Sequence, residues 1–91
     1  MLSRMSFDLL IEISNHAREQ MAERGVSQEE VIAAIRKGQS EPALKGRTLY
    51  RKNFQFGKTW RGKVYAVKQV APVVAHTLNK LVVVTVYSYY F

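Results

Sequence analysis

Residues 63–90 read KVYAVKQVAPVVAHTLNKLVVVTVYSYY, a stretch dominated by β-branched and aromatic residues. Such residues favour extended strands, and Asn79-Lys80 is typical of the turn between two of them. With residues 49–56, which have the same composition, the stretch predicts three strands joined in order, over 49–56, 63–75 and 81–90. Pro72 divides the middle strand into 63–71 and 73–75. Because proline cannot donate a backbone hydrogen bond, we expect a bulge or a sheet edge there.

The sequence before these strands predicts two helices. Ser14 is a suitable N-cap for a helix ending at Arg24, with Gly25 as the stop. Ser27 and Glu30 have the spacing of a capping box, which predicts a second helix ending near Gly38. We expect a short strand over residues 7–13, with the entry to a helix as the alternative, and a connector over 39–46. Helices followed by strands indicate an α+β fold, with two N-terminal helices packed on a three- to four-stranded antiparallel sheet.

The last strand predicts which residues share a face. Side chains alternate along a strand, so Leu81, Val83, Thr85 and Tyr87 are expected on one face and Val82, Val84 and Val86 on the other. One valine face is expected to meet the helices, and the face with Thr85 and Tyr87 is expected to line a concave surface beside basic residues of the neighbouring strands. The opposite assignment is the alternative. The 91 residues are enough for one domain spanning 1–91.

Charge is divided between the two halves of the chain. The first 41 residues contain all seven acids and five bases, whereas residues 42–91 contain nine lysines and arginines and no acid. A half without carboxylates suits a polyanionic partner. The tyrosines, phenylalanines and tryptophan among these bases favour a nucleic acid, and RNA is the expected partner.

The sequence also bears on cellular location, membrane segments and metal binding. The chain has no cysteine, which permits a reducing cytoplasm as its location. We predict no signal peptide and no membrane segment, because the apolar runs are short. His16 and His76 lack a second ligand at a recognisable spacing, so neither a metal nor another cofactor is expected.

RNA can be cleaved without a metal by general acid–base chemistry. A base removes the 2′-hydroxyl proton, an acid protonates the leaving oxygen, and cations stabilise the charged phosphate. His16 falls at the start of the first helix, where the helix dipole favours a neutral imidazole able to act as a base. The alternative is an ordinary exposed or hydrogen-bonded histidine.

Phosphate and base contacts are expected from the central hairpin. Arg51, Lys52 and Arg61 suit phosphate binding, and Trp60 beside Lys58 suits base stacking. Thr85 and Tyr87 can bond phosphate or donate a proton. The alternative is a solvated cationic face, with the threonine and tyrosine present as good strand formers.

Residues 14–38 read S-x-H-A-x-x-x-M-x-E-R-G-V-S-x-E-E-V-x-x-A-I-x-x-G, and with Gly46-Arg47, Tyr50-Arg51 and the terminal VVVTVY they resemble the family called domain of unknown function 4258. That family looks related to the RelE-like and barnase-EndoU-colicin (BECR) ribonucleases, many of which are toxins held by an antitoxin or immunity protein. The resemblance therefore implies a RelE-like toxin ribonuclease, a hydrolase of the BECR fold. It also implies an acidic antitoxin or immunity protein as partner.

Carried over by position, the resemblance points to His16, Arg24, the Arg51-Lys52 pair, Thr85 and Tyr87. The chain departs from the motif at Gln20, where the family commonly has an arginine, so a second cation is missing from the first helix. From residue chemistry and the resemblance together, we predict one set of catalytic residues and one set of RNA-binding residues. The expected catalytic residues are His16, Arg51, Lys52, Thr85 and Tyr87, and the expected RNA-binding residues are Arg47, Lys58, Trp60, Arg61 and Lys63.

The leading prediction is a metal-independent endoribonuclease of toxin type that cleaves RNA by attack of the 2′-hydroxyl. One alternative is a non-catalytic RNA-binding module that uses the same basic sheet. Another is a protein-interaction module in which the cationic face binds an acidic segment and Tyr89-Tyr90-Phe91 provides a strand edge.

Overall fold

The computed structural model describes residues 9–91, which form one five-stranded sheet and two helices. The strands are β1 (Leu10–Ile13), β2 (Gln39–Pro42), β3 (Thr48–Trp60), β4 (Lys63–His76) and β5 (Lys80–Tyr90), and the helices are α1 (Asn15–Arg24) and α2 (Gln28–Lys37). A short 3₁₀ turn, Leu44–Gly46, precedes β3. The strand order across the sheet is β1-β5-β4-β3-β2.

The prediction of a three- to four-stranded antiparallel sheet is wrong. The sheet has five strands and is mixed, because β1 pairs with β5 in parallel while every other pairing is antiparallel. The first strand precedes the helices, so these are not the first elements of the described chain. The combination of two helices with one sheet remains α+β. The part of the predicted first strand at Phe7 and Asp8 lies outside the described residues.

Both helices begin and end where their capping residues predict. The Ser14 hydroxyl accepts from the Ala17 N–H, and Gly25 ends α1 at φ +69°, a left-handed conformation that favours glycine. Ser27 and Glu30 form the reciprocal capping box of α2. Each cap is worth about 1 kcal/mol.

One layer of core lies between the helices and the sheet. Ala17 and Met21 of α1 and Val31, Ala34 and Ile35 of α2 are buried against Val70, Val74, Val83 and Val86 of β4 and β5. The helices therefore cover one face of the sheet, and within residues 9–91 no helix covers the other face. We call the second face the open face.

A bulge in β5 overturns the predicted face assignment. Val73 pairs with Thr85, but Val74 pairs with Val83, so Val84 is an extra residue that shifts the alternation. Val83 and Val86 consequently both enter the core. Alternation without a bulge places Thr85 and Tyr87 on the same face as Val83. With the bulge, they lie on the opposite face from Val83.

Pro72 lies in the central strand rather than at an edge. It is fully buried, and β4 continues through it from Lys63 to His76. The β5 bulge adjoins it in the register between Val73 and Val74. The prediction of a bulge here is confirmed and that of an edge is wrong.

The segment predicted as a connector contains the edge strand β2. All four of its residues are exposed, so it has no apolar pattern by which to recognise it. On the other side of β3, Arg61 and Gly62 both have positive φ, 51° and 86°, as a two-residue hairpin turn requires. This turn extends β3 to Trp60, beyond its predicted end at residue 56.

Candidate functional site

Three rows of side chains cross the open face. The first row is Leu49, Val73 and Thr85, and the third is Asn53, Gln69 and Tyr89. In the second row Tyr87 is opposite Ala71, and the register fixed by Leu49–Val73 and Lys52–Val70 sets Arg51 on the other side of Ala71. Because neighbouring strands are about 4.8 Å apart, the Arg51 and Tyr87 backbones are about 10 Å apart, with only a small alanine between them.

A cavity of about 460 Å³ adjoins these rows. Leu49, Val73, Thr85, Tyr87 and Tyr89 line it from the sheet. The residues that line it from the side of the 3₁₀ turn are Pro42, Ala43, Leu44, Lys45 and Arg47. Three of the expected site residues, Arg47, Thr85 and Tyr87, therefore meet in one depression.

A smaller, polar cavity of about 300 Å³ lies beside Arg51. The Arg51 guanidinium donates to the Gln69 Oε1 at 3.0 Å, and the Gln69 Nε2 donates to the Asn53 Oδ1 at 2.8 Å. Arg51 also forms a salt bridge with Glu41 at 3.3 Å. Lys37 and Lys52 border the same cavity, so three cations surround it.

Helix α1 lies along the outer edge of β5, beyond the end of β1. The Ser14 N–H donates to the Val83 carbonyl at 3.0 Å. Two turns later the Gln20 Oε1 accepts from the Val86 N–H at 2.8 Å, and the Arg24 guanidinium donates to the Val86 carbonyl at 2.7 Å. Side chains of α1 thus bind the backbone groups that another strand would bind.

His16 occupies the part of α1 between these two anchor points. It is spaced i, i+4 and i+8 with Gln20 and Arg24, so the three side chains form one stripe of the helix. The contacts that flank His16 are those of Ser14 with Val83 and of Gln20 with Val86. The His16 side chain is exposed and borders neither cavity.

Arg24 connects this stripe to the open face. Its guanidinium carbon is 5.4 Å from the centroid of the Tyr87 ring. The Arg24 carbonyl in turn accepts from the Ser88 and Tyr90 hydroxyls. The residues at this edge, His16, Arg24, Thr85 and Tyr87, carry the groups that proton transfer and phosphate binding require.

The comparisons with known proteins agree with the resemblance of the motif. The family described as domain of unknown function (DUF4258) matches residues 13–88. The chain belongs to this family. No curated protein and no solved structure matches it significantly.

Gln20, where the resemblance leads us to expect an arginine, contacts the β5 edge in this DUF4258 chain. Its side-chain oxygen accepts the Val86 N–H, and an arginine has no acceptor with which to do so. Arg24 already supplies a guanidinium to the same Val86 backbone. The glutamine therefore stabilises the β5 edge in this chain by accepting the Val86 N–H.

The expected RNA-binding residues fall into two groups. Arg47 lies beside the larger cavity, whereas Lys58, Trp60, Arg61 and Lys63 lie at the far end of the β3–β4 hairpin. There the Trp60 ring stacks on Tyr90 at 4.8 Å, and Arg61 donates to the Glu23 carbonyl at 2.7 Å. The hairpin end thus packs on the C-terminal end of α1, away from the larger cavity.

Lys52 projects towards the helix side of the sheet, unlike Arg51. It pairs with Val70, whose side chain is in the core, and its ammonium is 5.2 Å from the centroid of the Phe54 ring. Adjacent residues of a strand face opposite ways, so these two bases do not form one clamp on the open face.

The fold neutralises part of the basic half. Lys68 is buried, where it donates to the Gly25 carbonyl and pairs with Glu30 at 2.7 Å. Lys80 pairs with Glu12 at 2.6 Å. With the Arg51–Glu41 pair, three of the bases after residue 41 bind acids from the first half of the chain. Arg47 and Lys45 at the larger cavity have no salt bridge within residues 9–91.

Sequence reasoning missed several residues that the site contains. Gln69, Asn53 and Tyr89 lie beside the predicted residues on the open face, and Lys45 lies beside the larger cavity. Alternation along β5 from Tyr87 would have indicated Tyr89. The signal for Gln69 is the register of the hairpin, which depends on the Arg61-Gly62 turn.

The described part of the chain contains no helix long and apolar enough to cross a membrane. Over the same residues, 9–91, no three His, Asp or Glu side chains gather in a way that could hold a metal ion.

Tyr90 gives a prediction for alkaline pH. Burial raises the pKa of its hydroxyl above the ordinary value of 10.0. Because the folded-state pKa is raised, the contribution of Tyr90 to stability is fully present below about pH 10 and is lost as pH rises further. We expect the free energy of unfolding to fall above pH 10 and to fall less steeply in Tyr90→Phe. Urea unfolding from pH 8 to 11 measures both slopes, and equal slopes would contradict the prediction.

Proposed function

We propose that this DUF4258 domain is a metal-independent endoribonuclease of toxin type, acting in the cytoplasm on RNA. One observation carries the proposal. Arg51 and Tyr87 flank Ala71 in one row of the open face, Thr85 is in the adjacent row, and α1 holds the His16–Arg24 stripe along the edge of the same strand. A relation to RelE-like and BECR ribonucleases belongs to this proposal as well, by analogy with their use of basic sheet faces.

The proposed chemistry follows from the residue types. His16 removes the proton from the 2′-hydroxyl, and the 2′-oxygen attacks the adjacent phosphorus. The bond from phosphorus to the 5′-oxygen breaks, and Tyr87 protonates that oxygen as it leaves. The products are a 2′,3′-cyclic phosphate and a free 5′-hydroxyl. No metal is required, since proton transfer and charge stabilisation both come from side chains.

Arg51 and Thr85 would stabilise the charge that develops on the phosphate. Arg51 is held by Glu41 and Gln69, so its position costs little reorganisation when the phosphate arrives. Thr85 offers a hydroxyl to a phosphate oxygen. Arg47 attracts the neighbouring phosphate from the edge of the larger cavity.

Cleavage of an unstructured RNA in EDTA tests the proposal. We expect fragments that end in a 2′,3′-cyclic phosphate and no cleavage of the same RNA with 2′-deoxy residues, because the nucleophile is then missing. Arg51→Met should lower the rate about 10²-fold. Arg36→Met removes an equal charge from the exposed side of α2 and serves as control.

Two results would refute catalysis by these residues. One is the absence of cleavage by the wild type, both in solution and on ribosomes. The other is cleavage unaffected by a His16→Ala/Arg51→Ala double substitution.

A non-catalytic RNA-binding module is the second candidate function. Lys58, Arg61 and Lys63 at the hairpin end favour it, because they extend the basic surface beyond the reach of any single active centre. This candidate predicts strongly salt-dependent RNA binding without product. In either case an acidic antitoxin or immunity protein is the expected protein partner, since it would complement the bases that have no salt bridge within residues 9–91.

A further inference from the structure

The larger cavity contains features that a phosphate-binding surface does not need. Its floor is apolar, with Leu49 and Val73, and it is also lined by Tyr87 and Tyr89, which are 41% and 45% exposed. Leu44, on the 3₁₀ turn opposite, is 86% exposed, an unusual position for a large apolar side chain. The cavity thus offers flat aromatic and apolar surface next to the candidate active centre.

We propose that this cavity binds a single unpaired nucleobase of the RNA substrate, next to the bond that is cleaved. This inference rests on the proposed function, because it takes RNA as the substrate. The substrate class that follows is single-stranded RNA. A base in a duplex has both faces stacked and its pairing edge occupied, so it cannot enter unless the helix opens.

Size and surface both fit such an occupant. The volume of about 460 Å³ lies within the range of cavities that hold small organic ligands and leaves room for a base with part of its ribose. Tyrosine rings stack on bases of any sequence, so affinity does not depend on a particular base. Leu44 supplies apolar contact from the other side.

Charge at the cavity distinguishes an RNA base from other flat ligands. Lys45 and Arg47 border it, and no side chain lining it within the described chain is a carboxylate. The phosphates on either side of a bound base would therefore meet cations. An acidic peptide would satisfy the same cations, but it would leave the tyrosines and the apolar floor without a stacking partner.

The position of the cavity relative to Arg51 sets which base enters. Both Thr85 and Tyr87 line the cavity, and Tyr87 lies in the same row as Arg51, whereas Thr85 lies in the adjacent row. Arg51 is two residues beyond Leu49 in β3, a distance of about 7 Å. A base over Leu49 therefore belongs to a nucleotide adjoining the phosphate at Arg51.

A scan of abasic RNAs tests the inference. Each RNA is a 2′-O-methyl oligonucleotide that lacks one base, so the phosphates are intact and the nucleophile is blocked. Fluorescence anisotropy with the full chain then measures affinity without cleavage. Loss of the base at one position should weaken binding roughly 5- to 150-fold, the range for one stacked base, and other positions should have little effect.

Filling the cavity should remove this position dependence. Val73→Trp places a ring in the cavity and should weaken binding of intact RNA while abolishing the abasic penalty. Val64→Trp makes the same change at a 68% exposed position of the same strand and serves as control. If Val73→Trp does not fold, Leu44→Asn provides the second test, because that side chain contributes little to the core.

The outcomes separate the inference from the proposed function. Position-dependent binding without cleavage of ordinary RNA would uphold the base site and refute the nuclease. Cleavage without any dominant abasic position would refute the base site alone. Binding of an acidic peptide in place of RNA, or equal affinity for duplex and single strand, would also overturn the inference.

Discussion

Tyr87→Phe is expected to lower kcat for RNA cleavage by about 10²- to 10⁴-fold with little change in KM. The substitution removes only the hydroxyl, so stacking on the ring and the contact with Arg24 are preserved. Loss of one proton-transfer group typically costs a factor of this size. Since KM then reports binding through the ring and the neighbouring cations, it should change by no more than about twofold.

Tyr50→Phe is the matched control for this prediction. Tyr50 packs against the core on the helix side of β3, one residue from Arg51 and on the opposite face. Its hydroxyl cannot take part in chemistry on the open face. A Tyr87→Phe enzyme with wild-type kcat, or equal losses in the two variants, would exclude Tyr87 as the acid. A raised KM with unchanged kcat would assign Tyr87 to binding alone.

The helices could be predicted from the sequence because their signals are local. Ser14, Gly25 and the Ser27–Glu30 box each act within one turn of a helix, and each is found where expected. The strand β2 has no such signal. Its four residues are exposed and its position depends on backbone pairing with β3, so composition alone indicates a connector.

The parallel pairing of β1 with β5 is a non-local feature. It joins Leu10–Ile13 to residues some 70 positions later, and no short-range pattern specifies it. The bulge at Val84 cannot be predicted from composition either, because in a run of valines the residues of the two faces are identical. One extra residue moved Val83 to the core and left Thr85 and Tyr87 on the open face.

The sequence predicts which residue types form the candidate site, but it does not predict how they are arranged on the sheet. Arg51, Thr85 and Tyr87 are predicted from their chemistry, and the sheet register places Arg51 and Tyr87 in one row and Thr85 in the next. Lys52 is predicted as the neighbour of Arg51, yet alternation along β3 turns its side chain to the other face. In the folded chain, acids of the first half neutralise part of the basic half, because Glu30 pairs with Lys68 and Glu12 pairs with Lys80.

Gly38→Ala is expected to cause the largest loss of stability among single substitutions of a small residue, about 3 kcal/mol. A Cβ at Gly38 would lie 2.5 Å from the Arg51 carbonyl oxygen and closer still to the Ala34 carbonyl oxygen. Both are backbone atoms, so neither can rotate away, and overpacking of this kind costs about 1 to 3 kcal/mol or more. Thermal unfolding should therefore begin about 12 to 24 °C lower, since 1 kcal/mol shifts Tm by roughly 4 to 8 °C in a domain of this size.

Gly46→Ala separates steric overlap from backbone strain. Gly46 has φ +72° with nothing within 4 Å of an added Cβ, so only the left-handed conformation is penalised, by about 1 kcal/mol. Equal losses in the two variants would show that the close approach of α2 to β3 is not a constraint.

The overlap at Gly38 also bears on function. It displaces the strand that carries Arg51, so we expect Gly38→Ala to lose RNA cleavage at temperatures where it is still folded, whereas Gly46→Ala keeps the Arg51 contacts with Glu41 and Gln69.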